Sequence, residues 1–228
     1  MIKLNLYIIL ISLCITNVSC TKDLSKVNYY KKQNAMLSKN NTNKNRIVFM
    51  GNSITEYWLK LDAGFFDNKA YINRGISGQT TPQMLKRFKT DVIDLKPAVV
   101  VILAGTNDIA QNTGPITIKE ISENIITMAE QAKAHHIKVV LSSVLPVFDY
   151  HWNPGLDPVK KIAELNAIIK NYAIENNLVY LDYYHVMVDS KKGLNEAYTY
   201  DGVHPNKAGY QIMGPLAEAA IAKALNQN

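Results

Sequence analysis

From Ile47 onward the sequence switches repeatedly between two hydrophobic periods, and that alternation limits the fold more than any other feature of the chain. The runs Ile47 to Met50, Ala70 to Ile72, Ala98 to Ala104, Ile137 to Leu141 and Leu178 to Leu181 are short and rich in β-branched residues, as strands buried on both faces are. Between them apolar residues recur every three or four positions. Ile118, Ile121, Ile125 and Met128 do so, as do Ile162, Leu165, Ile169 and Tyr172, and a last helix is expected from about Lys207 to Leu225. Parallel strands need long crossover connections, so strands alternating with helices imply an α/β fold with a five-stranded parallel sheet covered on both faces. A length of 228 residues allows one domain with a substantial core, expected over 46–228.

Residues 1–20 read as a signal peptide. Lys3 supplies a basic start, Leu4 to Ile15 form an apolar stretch too short to span a bilayer comfortably, and small or polar residues lead to Ser19 and Cys20. Ser-Cys at the end of such a segment also reads as a lipoprotein box, with Cys20 lipidated and the protein held at the bacterial envelope. Asn17 departs from it, since most boxes carry Leu there; simple cleavage and secretion is the competing reading. Residues 21–45 are rich in Lys, Asn and Ser, and are expected to form a basic polar linker that partly docks, with a short helix around Tyr29 to Leu37.

Cys14 and Cys20 are the only cysteines, so a processed domain has neither a cysteine nucleophile nor a disulfide. The basic balance of the chain is local. Thr21 to Arg46 holds seven Lys/Arg and one Asp, whereas the sequence from Ile47 onward holds 17 basic and 18 acidic residues. A nearly neutral domain without a binding motif argues against nucleic acid as a partner.

Ligands of open parallel sheets bind beyond the carboxyl ends of the strands, which singles out four groups. Gly51-Asn52-Ser53-Ile54-Thr55 follows the first run; its serine can present Oγ at a helix N-terminus, or simply cap that helix. Asn73-Arg74-Gly75-Ile76-Ser77-Gly78-Gln79-Thr80-Thr81 follows the second, with two glycines that allow a backbone N–H to approach a ligand or merely make a turn. Gly105-Thr106-Asn107-Asp108 follows the third, and Asn107 can donate to an oxyanion or cap a helix. Asp201-Gly202-Val203-His204-Pro205 precedes the last helix; Asp and His three apart can place a carboxylate against one imidazole nitrogen, although Asp-Gly is also an ordinary turn. His135, His136, His151 and His185 have no such context, and the His135-His136 pair reads as a solvated helix end.

Taken in order, the four groups resemble the SGNH hydrolases, also called GDSL esterases and lipases. Ser53 falls on the family's block I serine, Gly78 on the block II glycine, Asn107 on the block III asparagine, and Asp201 with His204 on the block V pair. The resemblance runs from Ile47 to about Ala224, and its wording is most like bacterial relatives of the platelet-activating-factor acetylhydrolase type. One departure is Gly51-Asn52-Ser53-Ile54 where the family name expects Gly-Asp-Ser-Leu.

The resemblance implies a flavodoxin-like three-layer α/β/α sandwich and acyl transfer without metal or organic cofactor. Ser53 would be the nucleophile, His204 the base and Asp201 its orienting carboxylate, with an oxyanion hole from the N–H groups of Ser53 and Gly78 and the amide of Asn107. Short acyl or acetyl esters, on glycans or small exposed molecules, are the expected substrates. The alternative is a lysophospholipase or thioesterase whose acyl groove is lined by Trp58, Phe65, Phe66 and Trp152; a catalytically inactive surface-binding protein that reuses the fold is a third reading.

Overall fold

The computed structural model describes residues 24–38, 45–67 and 69–227. The leader expected over 1–20, Cys20 included, lies outside the described residues. A helix, α1, occupies 24–38. It is followed by β1 (Ile47–Gly51), α2 (Ser53–Leu61), β2 (Tyr71–Gly75), α3 (Thr81–Asp91), β3 (Val99–Leu103), a single turn α4 (Thr106–Ile109), α5 (Ile118–Ala134), β4 (Lys138–Ser142), α6 (Pro158–Glu175), β5 (Val179–Leu181), a short α7 (Tyr183–Met187) and α8 (Lys207–Leu225).

All five strands pair in parallel in the order β2-β1-β3-β4-β5, the flavodoxin-like order expected from the resemblance. Because side chains alternate across a strand, each apolar run feeds two cores. Val48, Met50, Val100, Ile102, Val139 and Leu141 face Met84, Phe88, Ile125 and Leu165 from α3, α5 and α6. Phe49, Val101 and Val140 face the opposite way, against Ile54 and Trp58 of α2 and Tyr210, Met213 and Ala217 of α8. Each fully buried side chain of this size contributes roughly 1.5–3 kcal/mol, so the two layers hold the sheet rigid between them.

Two expectations differ from the structure in instructive ways. β2 was expected to stop at Ile72 and runs on to Gly75, through Asn73 and Arg74. The short helix expected around Tyr29 to Leu37 occupies all of 24–38. One cause explains both. Helix α1 lies over the edge strand and supplies the polar partners that Arg74 needs to be buried. The Asn34 Oδ1 accepts from Arg74 Nε at 3.1 Å and from Nη2 at 2.6 Å, the Tyr30 ring lies 4.6 Å from the guanidinium carbon, and Tyr30 donates its hydroxyl to the Gly75 carbonyl at 2.8 Å. The helix is thereby held against the carboxyl end of the edge strand, at Arg74 and Gly75.

Candidate active site

Gly51, Gly75 and Leu103 are in register across three neighbouring strands, so the loops that follow β1, β2 and β3 leave the sheet side by side. The loops are tied together at their start: Ile76 donates its N–H to the Gly51 carbonyl at 3.1 Å, and Arg87 donates to that carbonyl at 3.0 Å and to Gln79 Oε1 at 2.6 Å.

The cap of α2 is Asn52, not Ser53. The Asn52 Oδ1 accepts from the Ile54 N–H at 3.0 Å and the residue is fully buried. Ser53 begins the helix with its hydroxyl free of any capping duty, and its Oγ lies 2.9 Å from His204 Nε2. The asparagine that departs from the family name therefore keeps the capping acceptor that an aspartate would provide.

His204 sits in the loop before α8, beyond a turn in which Gly202 adopts φ +79°. Its Nδ1 lies 2.7 Å from Asp201 Oδ2. Asp201 Oδ1 accepts the N–H groups of His204 at 2.7 Å and Val203 at 3.0 Å, and the Thr199 hydroxyl donates to the His204 carbonyl at 2.7 Å. Burial raises the Asp201 carboxyl, but the hydrogen bonds from His204 and Val203 outweigh it and hold the group below the usual carboxylate range. The imidazole is thus fixed in place by an ionised partner. The Tyr57 ring centre lies 5.5 Å from the imidazole centre.

Gly78 and Asn107 come together on the opposite flank. Gly78 has φ +81°, a conformation that favours glycine, and among the described residues neither its N–H nor that of Ser53 has a protein acceptor. Asn107 is buried and donates one amide hydrogen to the Gln79 carbonyl at 2.9 Å, which leaves the other N–H available. Gly105, at φ +120°, makes the tight exit from β3 that delivers Asn107; a Cβ there would stand 2.7 Å from Leu165 Cδ2.

Three contributors were not singled out from sequence, and a fourth, Asp108, was read only within the group that follows β3. Glu56, three residues after Ser53 on α2, accepts the Ser77 N–H and hydroxyl, each at 2.8 Å, and pairs with Lys26 of α1 at 3.1 Å. Its spacing from Ser53 on one helix face was the available signal. Asn112 donates to the Gly78 carbonyl and accepts from Trp152 Nε1, both at 3.3 Å, and nothing in its polar loop marks it. Asp108 is completely buried, its carboxylate accepting the Thr81 N–H at 2.9 Å and the Thr81 hydroxyl at 2.6 Å. Tyr57 follows Glu56 and reads from sequence only as a helix residue. The aromatic residues offered for an acyl groove divide: Trp58, Phe65 and Phe66 lie in the core between the sheet and α8, and Trp152 alone is exposed. His135 caps the end of α5, its Nδ1 at 2.8 Å from the Gln131 carbonyl.

Among solved structures, a candidate acylhydrolase from Bacteroides fragilis is similar at 51% identity, with a TM-score of 0.83 over 86% of this chain and 96% of that one. A GDSL-like lipase from Bacteroides thetaiotaomicron is 48% identical, with a TM-score of 0.82 over 87% of this chain and 98% of its own. An acetylxylan esterase of Geobacillus stearothermophilus is 26% identical over 149 residues, 62% of this chain and 67% of that protein. The uncharacterized lipoprotein YqeF of Bacillus subtilis is 35% identical over 85 residues, which span only 36% of this chain and 35% of the relative. Residues 49–212 match the GDSL-like Lipase/Acylhydrolase family, and with that span, from the first strand into the last helix, the chain belongs to this family.

Proposed function

We propose that the protein is an exported serine ester hydrolase that removes short acyl groups, acetyl foremost, from carbohydrate or other small exposed esters. The observation that carries this reading is the unbroken chain Ser53 Oγ, His204 Nε2 and Nδ1, Asp201 Oδ2, with links of 2.9 and 2.7 Å. Ser53 attacks the ester carbonyl while His204 takes its proton, and Asp201 fixes the ring and stabilises the imidazolium that forms. The oxyanion is received by the N–H groups of Ser53 and Gly78 and by the second amide N–H of Asn107. His204 then returns the proton to the leaving alcohol. Water, deprotonated by the same imidazole, releases the acyl group and restores Ser53.

Two observations favour a sugar-borne ester. A relative named an acetylxylan esterase matches over 149 residues, 62% of this chain. Trp152, 42% exposed, is held beside the Gly78 loop by Asn112 and offers a flat aromatic face to a ring-shaped substrate. A long-chain groove loses three of its four proposed aromatic walls to the core. Attachment through a lipidated Cys20 agrees with the relative named a lipoprotein.

Purified Ser53→Ala and His204→Ala are expected to lose on the order of 10⁴-fold in turnover of p-nitrophenyl acetate, and Ser53→Ala to escape labelling by a fluorophosphonate. Undiminished hydrolysis by Ser53→Ala overturns the assignment.

A further inference from the structure

Beside the reacting residues lies a concavity of about 400 Å³ that the hydrolytic chemistry does not use. Lys26 of α1, Glu56, Tyr57 and Lys60 of α2, and Ser77 line it. Two of its walls are shared with the site: the Tyr57 ring packs against the His204 ring, and Ser77 immediately precedes Gly78. A molecule whose ester reaches Ser53 therefore has this space next to it, and the volume suits one sugar ring.

The charges in the concavity are unevenly partnered. Glu56 stands four residues before Lys60 on the same helix, the spacing at which the two normally pair. Glu56 is instead turned to Lys26 and to the N–H and hydroxyl of Ser77. Lys60 is left with no carboxylate within ion-pair distance among the described residues; its ammonium lies 5.0 Å from the centre of the Tyr57 ring. The Tyr57 hydroxyl likewise has no protein partner among the described residues. One cation and one hydroxyl thus face a polar cavity whose other charges satisfy each other.

We infer that this concavity is a subsite for an acidic sugar, a uronate whose carboxylate pairs with Lys60 and whose ring lies along Tyr57, adjacent to the acylated position. The inference rests on the hydrolase reading and narrows its substrate to anionic glycans. Glu56 faces the same space, so the carboxylate takes the Lys60 end of the cavity, away from the ion pair with Lys26.

The test compares an O-acetylated oligosaccharide that carries a uronate with its carboxyl-reduced, neutral counterpart, using p-nitrophenyl acetate as the reference ester. Wild-type kcat/KM should favour the acidic substrate by about fivefold, through KM, and the preference should shrink as salt is raised. Lys60→Gln should bring the ratio to about one, and Lys60→Glu should invert it. Equal rates on both oligosaccharides in the wild type, or a preference that neither variant alters, overturn the subsite while p-nitrophenyl acetate turnover leaves the hydrolase standing. Faster Lys60-dependent turnover of an anionic lysophospholipid than of the acidic oligosaccharide overturns the glycan assignment. Absence of turnover on every ester removes the hydrolase reading and the subsite with it.

Discussion

Asn52 and Ser53 divide two roles that a single serine is often asked to combine. Because Asn52 accepts the Ile54 N–H as the cap of α2, the Ser53 hydroxyl remains available to His204. Asn107 shows the same economy on the side proposed to receive the oxyanion, where its bond to the Gln79 carbonyl holds the amide and leaves the second N–H available. Asn107→Ala should therefore lower kcat by about 10² to 10³ with a much smaller change in KM, measured on p-nitrophenyl acetate, because the donor acts mainly on the charged intermediate. The placement of Ser53, Gly78, Asn107, Asp201 and His204 in one cluster of loops was legible in sequence because each follows an apolar run or precedes the last helix, where a parallel sheet gathers its ligands. Asn52 as the cap, and Glu56 turned away from Lys60, were not legible, since spacing along a helix gives the candidates for a pair and not the choice among them.

The alternation of strand and helix made the central elements readable, down to Ile125 and Leu165 on the buried faces of α5 and α6. Helix α1 was only partly readable. Its buried face is built from Tyr30 and Asn34 and so lacks a sustained apolar period, and its length depends on partners in β2 and α3 that no local pattern announces. Yet α1, α2 and the loop after β2 meet at one carboxylate. Burial raises the Glu56 carboxyl, but the bonds from Ser77 and the charge of Lys26 outweigh it and hold it below the usual range, so it stays ionised while it grips the residue before Gly78. Glu56→Gln should lower kcat about tenfold and leave KM within about twofold, with Glu56→Asp recovering part of the loss; kcat is referred to the sites titrated with a fluorophosphonate, because a fall in folded fraction lowers the number of titrated sites and not the turnover of each.

At the scale of the whole molecule, Asp108 joins α4 to the first turn of α3 without any exposure to water. Burial pushes its carboxyl up from an ordinary value of 3.8 to about 6, against the opposing bonds from Thr81. The folded state thus holds the proton more tightly than the unfolded chain, and the stability this contributes is full below 3.8 and lost as pH rises through about 6. Asp108→Asn should flatten the fall in Tm across that window, as followed by thermal melts at a series of pH values. The docking of α1 has a further consequence for where such a molecule can work. With Cys20 as the acylated residue proposed above, only three residues, Thr21 to Asp23, separate it in sequence from the docked helix that begins at residue 24, against the 25 residues expected of the linker. Three residues reach at most about 11 Å. The enzyme would ride against the lipid headgroups, serving polymers that are brought to the membrane face and out of range of those held farther off.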